Sequence, residues 1–491
     1  MTTSNRLQIA SVAETTLGTT PTTPRMRLRH VTGESLNFRP VFVDPAELRS
    51  DRMTGDSIKV STQNDGGLNY EFSYPVPSSP RDIDLKSALY NTWTQMAERD
   101  NDGTADSVIT DVATTNTVLT VTTGTAFVAN QLVRFTGFGV TGNNGVFKCT
   151  TGSATVPRFA GSGITNETAP PAAARVKVVG FVGDSGDITA TATGLGSTVL
   201  DFTTLNLNVG QWIKVGGTGS GNRFATEALN TWIRITAIAA TALTCDNLPS
   251  TWTTDSGTSK TIKVWFGDII KNGTTQLGQT IEKGFLGQTS PTYIIHTGMV
   301  VNQYQLTIPA AEKVMASVSF LGMSGSESTT ALDASPDAAP ALATYPIIAG
   351  SANVARLGEA GLALSSPNWA RNLTITINNN NTAIQSVDTV GPVGITGHEC
   401  TVTGTLSTYF GSDALLAKFY AGTASSIVAI MAKSPQAVVV MLPRVIYTGD
   451  GTPNASGKNQ DVMLNLGFRA SKEETYTNAL ITMDRLEYYE A

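Results

Sequence analysis

The sequence predicts a mainly β chain: two related flanking domains, each with an amphipathic α-helix, and tandem small β-barrel-like modules inserted into the first. Short runs rich in Val, Ile, Thr and aromatics alternate with Gly/Asn/Asp/Ser clusters, as in Val176-Lys-Val-Val, Ile262-Lys-Val-Trp-Phe, Asn302-Gln-Tyr-Gln-Leu-Thr-Ile and Leu373-Thr-Ile-Thr-Ile, the pattern of strands bounded by turns. Only two segments read clearly as helix. The chain also repeats itself twice, at two different scales. At 491 residues it is long enough for several domains.

The helices are predicted at Ser79-Pro-Arg-Asp-Ile-Asp-Leu-Lys-Ser-Ala-Leu-Tyr and Gly411-Ser-Asp-Ala-Leu-Leu-Ala-Lys-Phe-Tyr. Each has a Ser or Asp able to cap the first turn, followed by apolar residues at i, i+3/i+4 spacing. The first duplication lies in the middle. Thr117-Val-Leu-Thr-Val and Thr198-Val-Leu-Asp-Phe are 81 positions apart, and Gln131-Leu-Val-Arg-Phe-Thr-Gly and Gln211-Trp-Ile-Lys-Val-Gly-Gly are 80 apart. Val176-Lys-Val and Ile262-Lys-Val are 86 apart, the excess falling in the loop around 217–222. The second duplication spans the flanks: Gly67, Leu85, Leu89 and Tyr90 precede Gly397, Leu415, Phe419 and Tyr420 by 330 positions, and Val314-Met precedes Val462-Met by 148. The expected organisation is an N-terminal arm (1–25), a discontinuous first domain (26–104 and 268–325), an inserted decoration (105–267) of two repeats (107–182 and 187–267), a linker (326–365) rich at its start in Ser, Thr, Ala, Asp and Pro, and a second domain (366–491).

Asp and Glu exceed Lys and Arg by 39 to 33, and charged residues are 15% of the chain, so the basic footprint of a nucleic-acid binder is absent. No run of roughly 18 apolar residues is available to span a bilayer, and Met1-Thr-Thr-Ser-Asn-Arg-Leu lacks the apolar region of a secretory signal; the expectation is a product made and kept in a cytoplasm, with no membrane insertion. Cys149, Cys245 and Cys400 are odd in number and outside any CxxC pair, which indicates neither a disulfide framework nor a zinc cluster.

No catalytic constellation is visible, and neither a catalytic residue nor a cofactor is assigned. His30, His296 and His398 are scattered, and no Ser or Cys sits in a nucleophile-elbow or Cys/His context. His398, in a predicted strand, reads as a satisfied or interfacial residue. Asp100, Asp102, Asp106 and Asp111 place carboxylates as a calcium loop would, but Gly103 stands at the fourth position where such a loop needs Gly at the sixth, and the twelfth residue is Asp111 in place of Glu. A polar entry linker is the preferred reading. Gly216-Gly-Thr-Gly-Ser-Gly-Asn-Arg lacks the Lys-Ser/Thr of a phosphate-binding loop and reads as a flexible loop. Asn378–Asn381 reads as a turn tip. Trp212, Trp232, Trp252 and Trp265 could face a glycan, although Trp at strand spacing usually belongs to a core.

A resemblance rests on a set of ordered segments. Glu14-Thr-Thr-Leu-Gly-Thr-Thr-Pro21, Glu47-Leu-Arg-Ser-Asp-Arg-Met, Asp65-Gly-Gly-Leu-Asn-Tyr-Glu-Phe-Ser-Tyr and a helix ending Ala88-Leu-Tyr-Asn-Thr-Trp93 are followed by Glu282-Lys-Gly-Phe, Tyr293, Gly298-Met-Val-Val-Asn302 and Val318-Ser-Phe-Leu-Gly322. Their order and spacing resemble the major tail tube proteins of long-tailed, non-contractile (siphovirus-type) bacteriophages, over nearly all of the flanks and little of 107–267. The resemblance implies tail-tube-type β-sandwiches and a structural, non-enzymatic subunit that self-assembles into stacked rings around a channel for DNA. With two tube domains per chain it implies a homotrimeric, pseudo-sixfold ring, a hexamer being the alternative. It further implies tape-measure and tail-end proteins as partners, DNA that passes without tight binding, and a place in the virion tail after assembly in the host cytoplasm.

Physical chemistry supplies a parallel expectation. Sandwich edges carry unpaired N–H and C=O groups that a ring of subunits closes. Arg49, Arg52, Asp450 and Lys458 are the interface candidates, and the polar segment 447–461 and the arm 1–25 are expected to order against a neighbouring ring. The rival reading is a carbohydrate-binding or adhesin-like surface or virion protein; a polysaccharide-cleaving virion enzyme would need clustered carboxylates in an aromatic cleft.

Overall fold

In the computed structural model, which describes residues 3–102, 108–113, 118–121, 124–161, 163–449, 451–453 and 457–490, the chain is mainly β, as predicted, in two large antiparallel sheet systems. The flanks are built from strands β1 (Leu7–Ala13), β2 (Asn37–Val43), β3 (Ile58–Glu71), helix α1 (Pro80–Leu89), β4 (Gln279–Phe285), β5 (Thr292–Pro309), β6 (Met315–Gly322) and β7 (Ser324–Ser328), then β8 (Val354–Glu359), β9 (Ala370–Asn378), β10 (Thr401–Tyr409), helix α2 (Ala414–Ala421), β11 (Ser425–Lys433), β12 (Gln436–Thr448), β13 (Met463–Ala470) and β14 (Thr482–Leu486).

The hydrogen-bond pattern of the first seven strands recurs in the second seven. β2–β3–β6–β5 is matched by β9–β10–β13–β12. β1 pairs with β4 as β8 pairs with β11, and β7 lies on β5 as β14 lies on β12. Two expectations change here. The arm 1–25 contains the first strand of one set: its Ile9, Ala10 and Ser11 are buried and it pairs with β4 along its whole length. Likewise the segment read as linker contains β8, at 354–359, and its start overlaps β7, at 324–328. Both stretches are rich in Thr, Ser and Ala, residues that suit a half-covered strand as well as a linker, so composition alone does not separate the two.

Register also corrects the offset between the flanks. Gly66 of β3 stands opposite Phe320, and Gly404 of β10 stands opposite Phe468, so these strands correspond at 338 positions, while Leu85 and Leu415 in the helices correspond at 330. Half of the difference falls in the strand-to-helix connection, which is longer in the first set, and half in the position of the leucine along its helix. Gly404 has a physical requirement: a Cβ there would lie 2.4 Å from Cζ of Phe468 and 2.1 Å from the Thr374 carbonyl.

Both predicted helices form. Ser79 caps α1, its side chain accepting from the Asp82 N–H at 3.4 Å, and Pro80 occupies the first turn, where a missing N–H costs nothing. α1 is buried on nearly every side, and even its Asp82 and Asp84 are enclosed. α2 ends at Gly422 with φ 61° and buries only Leu415 fully.

Between α1 and β4 the chain makes a long excursion, where the second set has only Gly422, Thr423 and Ala424 between α2 and β11. Most of the excursion folds into one 14-stranded system. Its repeats share more than strands. Gln131 and Gln211 each accept from the N–H three residues earlier, Val128 and Asn208, at 2.9 Å. Asn144 and Asn230 each brace a loop by exchanging two hydrogen bonds with the backbone of Phe138 and Phe224, at 2.9–3.0 Å. The repeats are fused, because strand Arg175–Val182 pairs with strand Lys263–Trp265 and one apolar core runs through both.

A row of alternating buried charges fixes this excursion to the flanks. Arg485 on β14 reaches Asp82 of α1 at 2.6 Å and Asp268 at 2.8 Å; Lys177 reaches Asp268 at 2.7 Å and Glu98 at 3.2 Å; Arg175 pairs with Glu98 and, at 2.6 Å, with Glu487. Beside it, Trp212, Trp232 and Trp265 pack with Val428, Val439, Met441 and Tyr489, so three of the four tryptophans that could have faced a glycan form a core seam. The fourth, Trp252, is half-buried and donates to the Thr191 carbonyl at 2.8 Å. The loop at 216–223, expected to be flexible, holds Glu490: its carboxylate accepts from Thr218 N–H at 3.0 Å and from Lys263 at 2.6 Å.

Candidate functional site: assembly surfaces

Two β-ribbons project from equivalent places, one between β2 and β3 and one between β9 and β10. In the first, β3 is paired on its second side by β6 only from Asn64 onward, so residues 58–63 and the β2 residues facing them form a bare two-stranded ribbon. Such a ribbon is marginal in water unless something covers it. Its outer end exposes Phe42 (57%), Leu48 (103%) and Ile58 (61%), together with Val43, Met53 and Val60. The second ribbon, Thr382–Gln385 paired with Pro392–Thr396, exposes Ile384, Val387, Val390 and Val393. The ribbons meet where Gly391 lies against Thr62. Contiguous exposed apolar groups rimmed by charge mark an interaction surface.

The interface candidates fall around these features unevenly. Arg49 lies at the tip of the first ribbon, exposed, with its guanidinium held by Glu47 at 3.0 Å and Asp51 at 2.7 Å in its own loop. Arg52 follows with φ 59°, a left-handed conformation that sharpens the tip. Lys458 is exposed on the segment between β12 and β13, and Asp450 lies outside the described residues. The apolar members of the ribbon were not singled out from sequence, because Phe42, Ile58 and Val60 carry the same alternation as strand residues that face a core.

The structure disperses the other candidates. Asp100 sits opposite Arg175 in a strand pair, and its carboxyl is pushed up to about 6, chiefly by burial. Asp102 lies 3.6 Å from Arg25, Asp111 is in a separate strand, and Asp106 is outside the described residues. Among the described residues no group of three His, Cys, Asp or Glu is placed to hold a metal ion. His398, expected in a strand, lies just before β10, its Nε2 2.9 Å from Thr382 Oγ1.

Two of the segments that carried the resemblance meet at one clamp. Glu14, buried, accepts from Gly18 N–H at 2.7 Å, Thr280 Oγ1 at 2.7 Å and Gly298 N–H at 2.9 Å, tying the first turn to β4 and β5. Asn302 accepts from Asn381 N–H at 2.8 Å. Asn379, expected at a turn tip, is instead buried and donates to the carbonyls of Ala88 and Val301 at 3.1 and 3.0 Å. This asparagine clasp lies where β5 pairs with β9, from Gln303↔Asn378 to Pro309↔Asn372. The two sets of strands are thereby joined edge to edge into one sheet.

Among the described residues no helix is long and apolar enough to cross a membrane. No curated protein matches the chain. Residues 235–470, which take in β4 to β13, match the family model of the phage tail tube proteins. By that match, which takes in just under half of its length, the chain is similar to the phage tail tube proteins, a family of structural tail subunits.

Proposed function

We propose that three copies of this chain close into a pseudo-sixfold ring, that rings stack into the tail tube, and that DNA leaves through the lumen. One observation carries the reading. Within the chain, β5 of the first set bonds to β9 of the second, and β9 occupies in its set the place of β2 in the first. This is a head-to-tail contact, and such contacts generate closed rings when the rotation closes. The free counterpart is β2, a strand paired on one side only among the described residues and carrying Pro40, as edge strands do. The next chain's second set supplies the missing neighbour. Ring closure covers the edges that would otherwise template aggregation.

The ribbons suit contacts between stacked rings, with Arg49 and Arg52 at the tip of the first; Asp450 and Lys458 are proposed as further interface residues. The net charge of −6 favours a conduit that does not retain DNA, since tight holding needs Lys and Arg on the phosphates. Tape-measure and tail-end proteins complete the set of partners.

Negative-stain electron microscopy of the purified protein, with rotational averaging of end-on views, is expected to show hollow rings of six lobes whose mass is that of three chains. Twelve lobes would select a ring of six chains, and persistent monomers at high concentration would overturn the proposal. Replacing Phe42 and Ile58 together by Asp is expected to leave the melting temperature of the subunit unchanged while abolishing tubes, because both side chains are solvent-exposed in the single chain.

A further inference from the structure

Where the second repeat of the excursion meets the second set of strands, a cleft of about 770 Å³ opens between strand Trp232–Ala239, the turn at Ala360–Gly361 and the segment following β13, a size suited to a small ligand. Its lining holds two side chains more than nine-tenths buried that each keep one unpartnered polar atom, Nη1 of Arg234 and Oδ1 of Asn247. The pair is preorganised: Arg234 Nε and Asn247 Nδ2 both donate to Asp246 Oδ1, at 2.9 and 2.8 Å. One charged donor and one acceptor are therefore left side by side. A buried polar atom without a partner is costly, and a ligand that supplies the partner recovers that cost.

The remaining lining carries charge of both signs, with Glu474 exposed along with two cations. Arg444 and Lys472 are exposed and make no side-chain hydrogen bond or ion pair among the described residues. Glu473, in contrast, is already engaged, its carboxylate taking the backbone N–H groups of Thr475, Tyr476 and Thr477. Apolar lining is limited to two alanines and a proline, too little for the apolar core of a protein contact. A bare anion would satisfy Arg234 but face the Asn247 oxygen with another acceptor. A sugar offers a hydroxyl donor to that oxygen and places an acidic substituent near the cations.

We infer that this cleft binds an acidic saccharide, a sugar unit bearing a carboxylate or a phosphate. The inference does not depend on ring assembly, and it differs from a glycan face on the tryptophans, which lie mostly in the core seam.

The test is retention of the full-length protein on an array of carboxylated, phosphorylated and neutral glycans. Acidic glycans should be retained at least tenfold more strongly than neutral ones, and the carboxylated and phosphorylated arms separate the two sources of charge. Arg444→Glu with Lys472→Glu alters exposed positions and should lose that preference with unchanged melting. Asn247→Gly, at a position with φ 57° that glycine accepts, should weaken retention while leaving the cations in place. Absence of acidic-glycan retention, equal retention of neutral glycans, or full retention by the double variant would overturn the site. Protection of Arg234 and Arg444 from hydrogen exchange or modification on self-association alone, with no glycan retained, would assign the cleft to a second copy of the chain and overturn the saccharide reading.

Discussion

Arg485→Met is expected to destabilise the subunit by about 3–5 kcal/mol, the usual cost of removing one member of a buried ion pair. Arg485 is fully buried and is the sole described link between Asp82 of α1 and Asp268 at the base of the excursion. Without it, Asp82 keeps Lys86 at 2.7 Å and Asp268 keeps Lys177, but the alternation of sign is broken and two carboxylates face each other across an apolar gap. Differential scanning calorimetry should show a lower melting temperature, or early melting of the excursion. Asp82→Asn added to Arg485→Met should recover part of the loss, because it removes one of the stranded charges. Additive losses in the double variant would mean that the row is not a coupled network.

The second large effect is a loss of stability between pH 6.5 and 4. His296 is fully buried, and its Nδ1 lies 2.7 Å from Asn64 Oδ1 while Nε2 has no described partner. Burial, aided by the nearby Lys283, lowers its pKa from 6.5 to about 4. The folded state therefore holds the neutral ring, and the unfolded chain takes up the proton first. Stability from this group is complete above pH 6.5 and is lost as pH falls through the window to about 4, of order 3 kcal/mol in all. His296→Gln should cost stability at neutral pH and flatten the profile over that window; an unchanged slope would show that His296 is not the titrating group. Glu98 and Asp268 act lower. Burial raises both, but Lys177 with Arg175 or Arg485 outweighs it and holds each at about 2. Their contribution is complete above the ordinary carboxylate range and fails only as pH falls towards 2.

Local features were legible in the sequence to the extent that their causes are local. Ser79 and Pro80 mark a helix start because capping acts within one turn, and the 80-position match of Gln131 with Gln211 reflects a hydrogen bond only three residues long. The mainly β character followed from alternation, and two of the segments that carried the resemblance prove to meet at Glu14. Pairing over distance left weaker traces. Asp82 and Arg485 are 403 positions apart, and nothing near either residue names the other. β1 and β8 were read as arm and linker because each is a short strand whose partner lies far along the chain. The apolar residues of the ribbon escaped notice for the opposite reason, since an exposed Phe42 is written with the same letter as a buried one. The cleft beside Asn247 likewise depends on two turns and two strands that only the fold brings together.

The bond between β5 and β9 also bears on how quickly a tube can grow. A seam made inside one chain forms when that chain folds and does not depend on subunit concentration. In a ring of three such chains, as proposed, half of the six seams are already in place before any two molecules meet, so two associations precede the closing step where six single-domain subunits would need five. Each partner also arrives with its second binding edge tethered beside the first, which raises the effective concentration for the closing step. Dilution that would scatter a six-membered ring should spare the domain pair, a third of the ring, that a single polypeptide carries within itself.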